Sequence, residues 1–206
     1  MNAQRILAAL AVSAICACAF ADDLFPPSWR TTPPGEGFTT FQSWEFGTDT
    51  NPSPPDVNLN HFGTPVLTVH GDFPYTVWKA DDNGHQGVWR FEDWMTLDVP
   101  NNPPPLDFKE IWLQITYSAA EGHDPQVYTL PPESLVESVE KTQLDAYYWH
   151  ETFRIIITPN PNSETIYIEP RDCSLYVDEI VLDTQCVPEP ASLLLLAVSS
   201  LLLRRR

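Results

Sequence analysis

Between residues 38 and 185 apolar and polar side chains alternate in short runs, and prolines divide the runs. The pattern is cleanest over 109–118, where Ile111, Leu113, Ile115 and Tyr117 fall on one side and Trp112, Gln114 and Thr116 on the other. A period of two marks a strand with one packed face and one face toward water. Similar runs predict strands over 38–46, 65–70, 75–79, 87–99, 126–130, 147–158, 164–169 and 174–183. Proline-rich spacers at 51–56, 100–106 and 158–161 separate them as loops do. Only 132–141 suggests a short helix. The pattern predicts an all-β domain over 38–185, an antiparallel two-sheet β-sandwich of jelly-roll type.

The two ends follow other rules. Residues 1–21 have the layout of a signal peptide: Arg5 supplies a positive charge, 6–20 form an apolar run, and Ala19 and Ala21 supply the small residues that signal peptidase reads. The run is shorter than the roughly 20 residues of a spanning helix, which disfavours a retained anchor. A proline-rich segment, 22–37, leads into the domain. The tail, 186–206, holds Val187, Pro188, Glu189 and Pro190, an uncharged run that starts at Ala191, and then Arg204, Arg205 and Arg206. The prolines keep the chain extended, 191–203 is predicted as a transmembrane helix, and the arginines hold its end in the cytoplasm. That helix is about 20 Å long against a hydrocarbon core of about 30 Å, so snorkelling arginines and local thinning make up the difference. A plain uncleaved C-terminal anchor is the alternative.

VPEPASLLLLAVSSLLLRRR resembles the PEP-CTERM sorting signal of exported bacterial proteins. The resemblance implies an inner-membrane intermediate, processing by an exosortase near Pro188-Glu189-Pro190, and release or transfer to the cell surface or extracellular matrix, often alongside exopolysaccharide. It covers the tail and is silent on the chemistry of the domain. WRTTPPGEGFTTFQSWEF resembles the start of other exported proteins with this tail, and LYVDEIVLDT resembles the last strand of galactose-binding-like carbohydrate modules. In those modules an aspartate at the place of Asp178 helps hold a structural calcium with an acidic residue from the first strands, for which Glu45 is the analogue. Oxygen ligands suit calcium. A solvated sheet edge, or an arginine partner such as Arg154 or Arg171, is the competing account of Asp178.

Charge narrows the partners. The chain has 28 acidic and 11 basic side chains and a net charge of −17. Four of the basic residues lie in the terminal segments, so the domain is more acidic still. This argues against nucleic acid and against anionic surfaces bound by attraction, and permits neutral sugars and divalent cations. The expected partners are signal peptidase, exosortase and extracellular polysaccharide.

No catalytic motif is present: there is no nucleophile elbow, phosphate loop or dinucleotide fingerprint, and His61, His70, His85, His123 and His150 lack metal-ligand spacing. Glu92 and Asp93 are strand neighbours that point to opposite faces, which does not set up a facing pair. Asp93 shares parity with apolar residues, which predicts a bulge. Cys173 and Cys186 flank a strand about 23 Å long, too far for a bridge unless it bends. Core packing is the default for the seven tryptophans. Trp112 and the Tyr147-Tyr148-Trp149 cluster are the candidates for an exposed sugar-stacking platform. The sequence therefore reads as a non-enzymatic surface or matrix protein, with a carbohydrate-binding module as the alternative and a secreted glycan-active enzyme as the third.

Overall fold

The computed structural model describes residues 23–31, 33–101, 108–130 and 134–187. Among the described residues there are strands and no helix. In chain order they are β1 (Thr39–Trp44), β2 (Val57–Asn58), β3 (Val66–Val69), β4 (Val77–Asp82), β5 (His85–Phe91), β6 (Met95–Pro100), β7 (Phe108–Ser118), β8 (Gln126–Leu130), β9 (Ser134–Gln143), β10 (Trp149–Ile157), β11 (Ser163–Glu169) and β12 (Leu175–Val187). They form two antiparallel sheets. The 8-stranded sheet runs β2-β1-β12-β7-β10-β9 with β5 also on β12 and β4 on β5; the 4-stranded sheet runs β3-β6-β11-β8.

One core lies between the sheets. Trp44, Phe91, Ile111, Leu113, Ile115, Ile155, Ile180 and Leu182 enter from the large sheet, and Leu67, Met95, Leu97, Val99, Ile166 and Ile168 from the small one. The alternation seen over 109–118 is what buries Ile111, Leu113 and Ile115 together. Strand β12 organises the large sheet: β7 pairs along its length on one side, while β1 and then β5 share the other. A bulge between Val177 and Glu179 sits where β1 gives way to β5. Asp178 is the extra residue, so Leu175 and Val177 before it and Ile180 and Leu182 after it all reach the core.

Three expectations are corrected. The run 87–99 is two strands in opposite sheets: Phe91 and Met95 both bury, and the exposed Glu92-Asp93-Trp94 between them carries the chain across. Asp93 is thereby at the surface through a crossover, not a bulge. The stretch 132–141 is not helical where described, because β9 pairs with β10 through a bulge between Thr152 and Phe153. Val136 packs on the core while Leu135 and Val139 are exposed, and that shifted alternation is what resembled a helical period. Glu137, Glu140 and Lys141 then guard an edge strand against pairing with another chain.

The third concerns the far face of β7, expected to meet water. Residues 23–31 cross it as a strap. The Phe25 amide donates to Gln114 Oε1 at 2.9 Å, Gln114 Nε2 donates to Asp23 Oδ1 at 2.8 Å, and Arg30 Nε donates to Asp183 Oδ1 at 2.7 Å. Gln114, Thr116, His150, Thr152, Val181 and Asp183 are buried on this side of the sheet. Burial pushes the Asp183 carboxyl up to about 6, against the pull of Arg30.

At one end of the core Lys109 and Glu164, both buried, form an ion pair across the two sheets. Burial raises the Glu164 pKa, partly opposed by the Lys109 charge. Removing one member strands the other in a dry site. Lys109→Met is expected to cost about 3–5 kcal/mol in chemical denaturation, and Lys109→Met with Glu164→Leu to recover much of it; equal losses in both would contradict this account.

Candidate functional site

The structure separates the four expected platform residues. Trp112 is half-buried beneath the strap, with Nε1 donating to the Phe25 carbonyl at 2.6 Å. Tyr148 is 0% exposed, its hydroxyl 3.1 Å from Asp82 Oδ2. Tyr147 is 56% exposed and Trp149 half-buried. The sequence reading missed the strap because nothing in a proline-rich stretch reports which sheet face it will cover, and it missed the turn geometry that sends neighbouring aromatics in opposite directions.

Tyr147 and Trp149 instead meet in a cleft of about 550 Å³ at one end of the sandwich, where residues 119–124 after β7 face the turn between β9 and β10. Tyr117, Glu121, Asp124, Lys141 and Gln143 supply the rest of its chemistry. Each floor group is tied to another. The Tyr117 hydroxyl donates to Glu151 Oε2 at 2.7 Å and lies 3.2 Å from Asp124 Oδ1, and Ser138 Oγ donates to Glu151 Oε1 at 2.6 Å. Lys141 pairs with Asp124, and its ammonium lies 4.8 Å from the Trp149 ring centroid. Burial works to raise the Asp124 pKa, but the hydrogen bond and charge of Lys141, with the Tyr117 hydroxyl and the Arg171 charge, together outweigh it and hold the carboxyl below its ordinary range. Burial, then the Glu151 contact, pushes the Tyr117 phenol well above its usual value, so it stays a donor at any ordinary pH.

Side-chain hydrogen bonds hold the turn. Asp145 Oδ1 accepts from the amides of Tyr147 and Tyr148 at 2.7 and 2.8 Å, and these bonds first, with His85 after them, lower its pKa. His85 ties the turn to the rest of the molecule: Nδ1 lies 2.6 Å from Asp178 Oδ2 at the β12 bulge, and Nε2 lies 3.0 Å from Asp145 Oδ2. Its ring stacks on Tyr148 at 3.7 Å.

Glu45 and Asp178, the two expected calcium ligands, do line one pocket of about 360 Å³, with Asp56, His85 and Glu179. Asp178 is the partner of His85 there, not of Arg154 or Arg171. Calcium takes six to eight oxygens, and among the described residues no group of three or more His, Cys, Asp or Glu is arranged to hold a metal ion.

Cys173 and Cys186 are both free, Cys186 buried with Sγ 3.1 Å from Asn101 Oδ1. Val187 closes β12, whereas Ala19, Ala21, Pro188, Glu189, Pro190, Ala191, Arg204, Arg205 and Arg206, and with them the expected helix 191–203, lie outside the described residues. Among the described residues no helix is long and apolar enough to cross a membrane. No family model matches the chain, and no curated protein matches it in sequence.

The His85 cluster gives a pH signature. Burial alone would lower the His85 pKa, but its bonds to Asp178 and then Asp145 outweigh that and raise it. A group whose pKa is raised by folding stabilises most below its unfolded value, about 6.5, and loses that contribution as pH rises through the folded value. The melting-temperature gap between the protein and His85→Gln should be wide near pH 6 and narrow by about pH 9; a gap that widens with pH would overturn the assignment.

Proposed function

We propose that this is an exported, non-enzymatic protein of the cell surface or extracellular matrix. The chain is cut after Ala21 by signal peptidase, held in the inner membrane by 191–203 and Arg204 to Arg206, and processed by an exosortase near Pro188-Glu189-Pro190 before it joins an exopolysaccharide-rich exterior. The observation that carries this reading is the order of the tail: a Pro-Glu-Pro motif, an uncharged Leu-rich run and three terminal arginines.

Two features of the fold support it. β12 ends at Val187, still paired with Phe108, so a cut within 188–190 leaves the last strand whole. The described strap contacts, the first at Asp23, all lie after the proposed cut at Ala21. The sandwich itself is jelly-roll-like in this reading, because successive strands from β5 to β8 alternate between the two antiparallel sheets, as do β10, β11 and β12. A second reading, a carbohydrate-binding module, is favoured by the cleft that joins Tyr147 and Trp149 to carboxylates and an amide.

In the native cell, the mature protein is expected outside the inner membrane with its C-terminus at or near 188–190 by mass spectrometry. Replacing Pro188-Glu189-Pro190 with alanines should leave the full tail attached and the protein in the membrane fraction. Unchanged release and an unchanged C-terminus in that variant would sink the sorting assignment.

A further inference from the structure

We infer that the cleft between residues 119–124 and the β9–β10 turn is a binding site for a neutral pyranose unit, stacked on Tyr147 and Trp149 and hydrogen-bonded to Glu121, Asp124 and Gln143. This rests on the carbohydrate-binding reading and is independent of sorting. It goes beyond that reading by replacing the platform expected from the sequence with a defined cleft and by naming the ligand class.

Four observations converge. The volume, about 550 Å³, lies in the range of small-molecule sites and compares with about 410, 360 and 310 Å³ for three other pockets of the molecule. The rings are arranged for stacking without being packed away: Tyr147 is 56% exposed at the rim, and Trp149 is half-buried beside it. A pyranose presents a face of C–H bonds to such rings and hydroxyls around its edge, each a donor and an acceptor. The lining supplies both complements, with carboxylate acceptors at Glu121 and Asp124, the Gln143 amide, and the Lys141 ammonium.

The site is also held in place before any ligand arrives. Asp145 fixes the turn that bears Tyr147, and the Tyr117–Glu151–Ser138 and Lys141–Asp124 bonds fix the floor. Preorganisation lowers the ordering cost of binding, which matters for sugars because their hydroxyls give up strong contacts with water. Charge selects among sugars. Lys141 is the one cation of the lining and is already paired with Asp124, while Glu121 adds another negative charge, so uronate or sulfate groups are repelled. An aliphatic ligand would take the Glu121 carboxylate out of water without offering it a hydrogen bond.

The test is calorimetry on the purified full chain with soluble gluco-, xylo-, manno- and galacto-oligosaccharides, and with oligogalacturonate as the acidic arm. Saturable binding of at least one neutral oligosaccharide is expected, weakened about tenfold or more in Tyr147→Ala, the loss of one stacking contact. Tyr147 is exposed, so this variant keeps the fold; Trp149→Phe should weaken binding less, and Trp94→Ala, at the β5–β6 crossover and outside the cleft lining, not at all. Neutral binding that survives Tyr147→Ala unchanged would place the site elsewhere and overturn this inference while keeping the carbohydrate-binding reading. No binding of any neutral sugar would overturn both, and binding confined to oligogalacturonate would overturn the ligand class.

Discussion

Strand β12 is the constraint on which the rest of the molecule depends. It pairs with β7 on one edge and with β1 and β5 in succession on the other, so the position of three strands is set by one. The bulge at Asp178 lets both halves of β12 keep their apolar rows in the core while its edge changes partner. The residue released from the alternation, Asp178, anchors His85. Through His85 and Asp145 the register of the central strand is transmitted to the turn that carries Tyr147. Fold and candidate cleft are therefore one hydrogen-bonded system.

In so acidic a chain the few cations are placed as ties between distant parts. Arg30 joins the strap to β12, Lys109 joins the two sheets, Lys141 joins β9 to the loop after β7, and Arg154 of β10 reaches Glu110 of β7. Of these Lys109 alone is fully enclosed, where desolvation makes it specific more than stabilising. The exposed pairs contribute little energy each. Their worth lies in geometry: Arg30 and Lys141 tie down the strap and the loop after β7, which lie outside the ladders, and Arg154 adds a side-chain tie between strands already paired.

How much of this was legible in the sequence follows from what each signal measures. Alternation reports a strand and its core face, so β1, β3, β7, β8, β10, β11 and most of β12 were readable within a few residues. It does not report which sheet a strand joins, which is why 87–99 read as continuous although Phe91 and Met95 enter the core from opposite sides. Bulges break the period locally, and the one at Val139 within β9 gave Leu135, Val136 and Val139 a helix-like spacing. Two of the platform aromatics, Tyr147 and Trp149, do line one cleft, but Tyr148 and Trp112 do not, because burial under a turn or a strap is decided by contacts far away in the chain. The partners of the cleft, Asp124 and Glu121, carried no local signal: a carboxylate in a loop gains meaning only from what faces it.

The placement of β12 also bears on mechanics. The last described residues of the chain belong to this strand and are bonded to Phe108 on one edge and, through the Cys186 amide, to the Phe38 carbonyl on the other. Tension applied beyond Val187 thus enters a strand held along both edges, with ladder bonds lying across the direction of pull. Such a load has to shear two ladders at once, whereas the same tail hung from an edge strand would peel it away bond by bond. The domain is built to hold at the point from which it would be tethered.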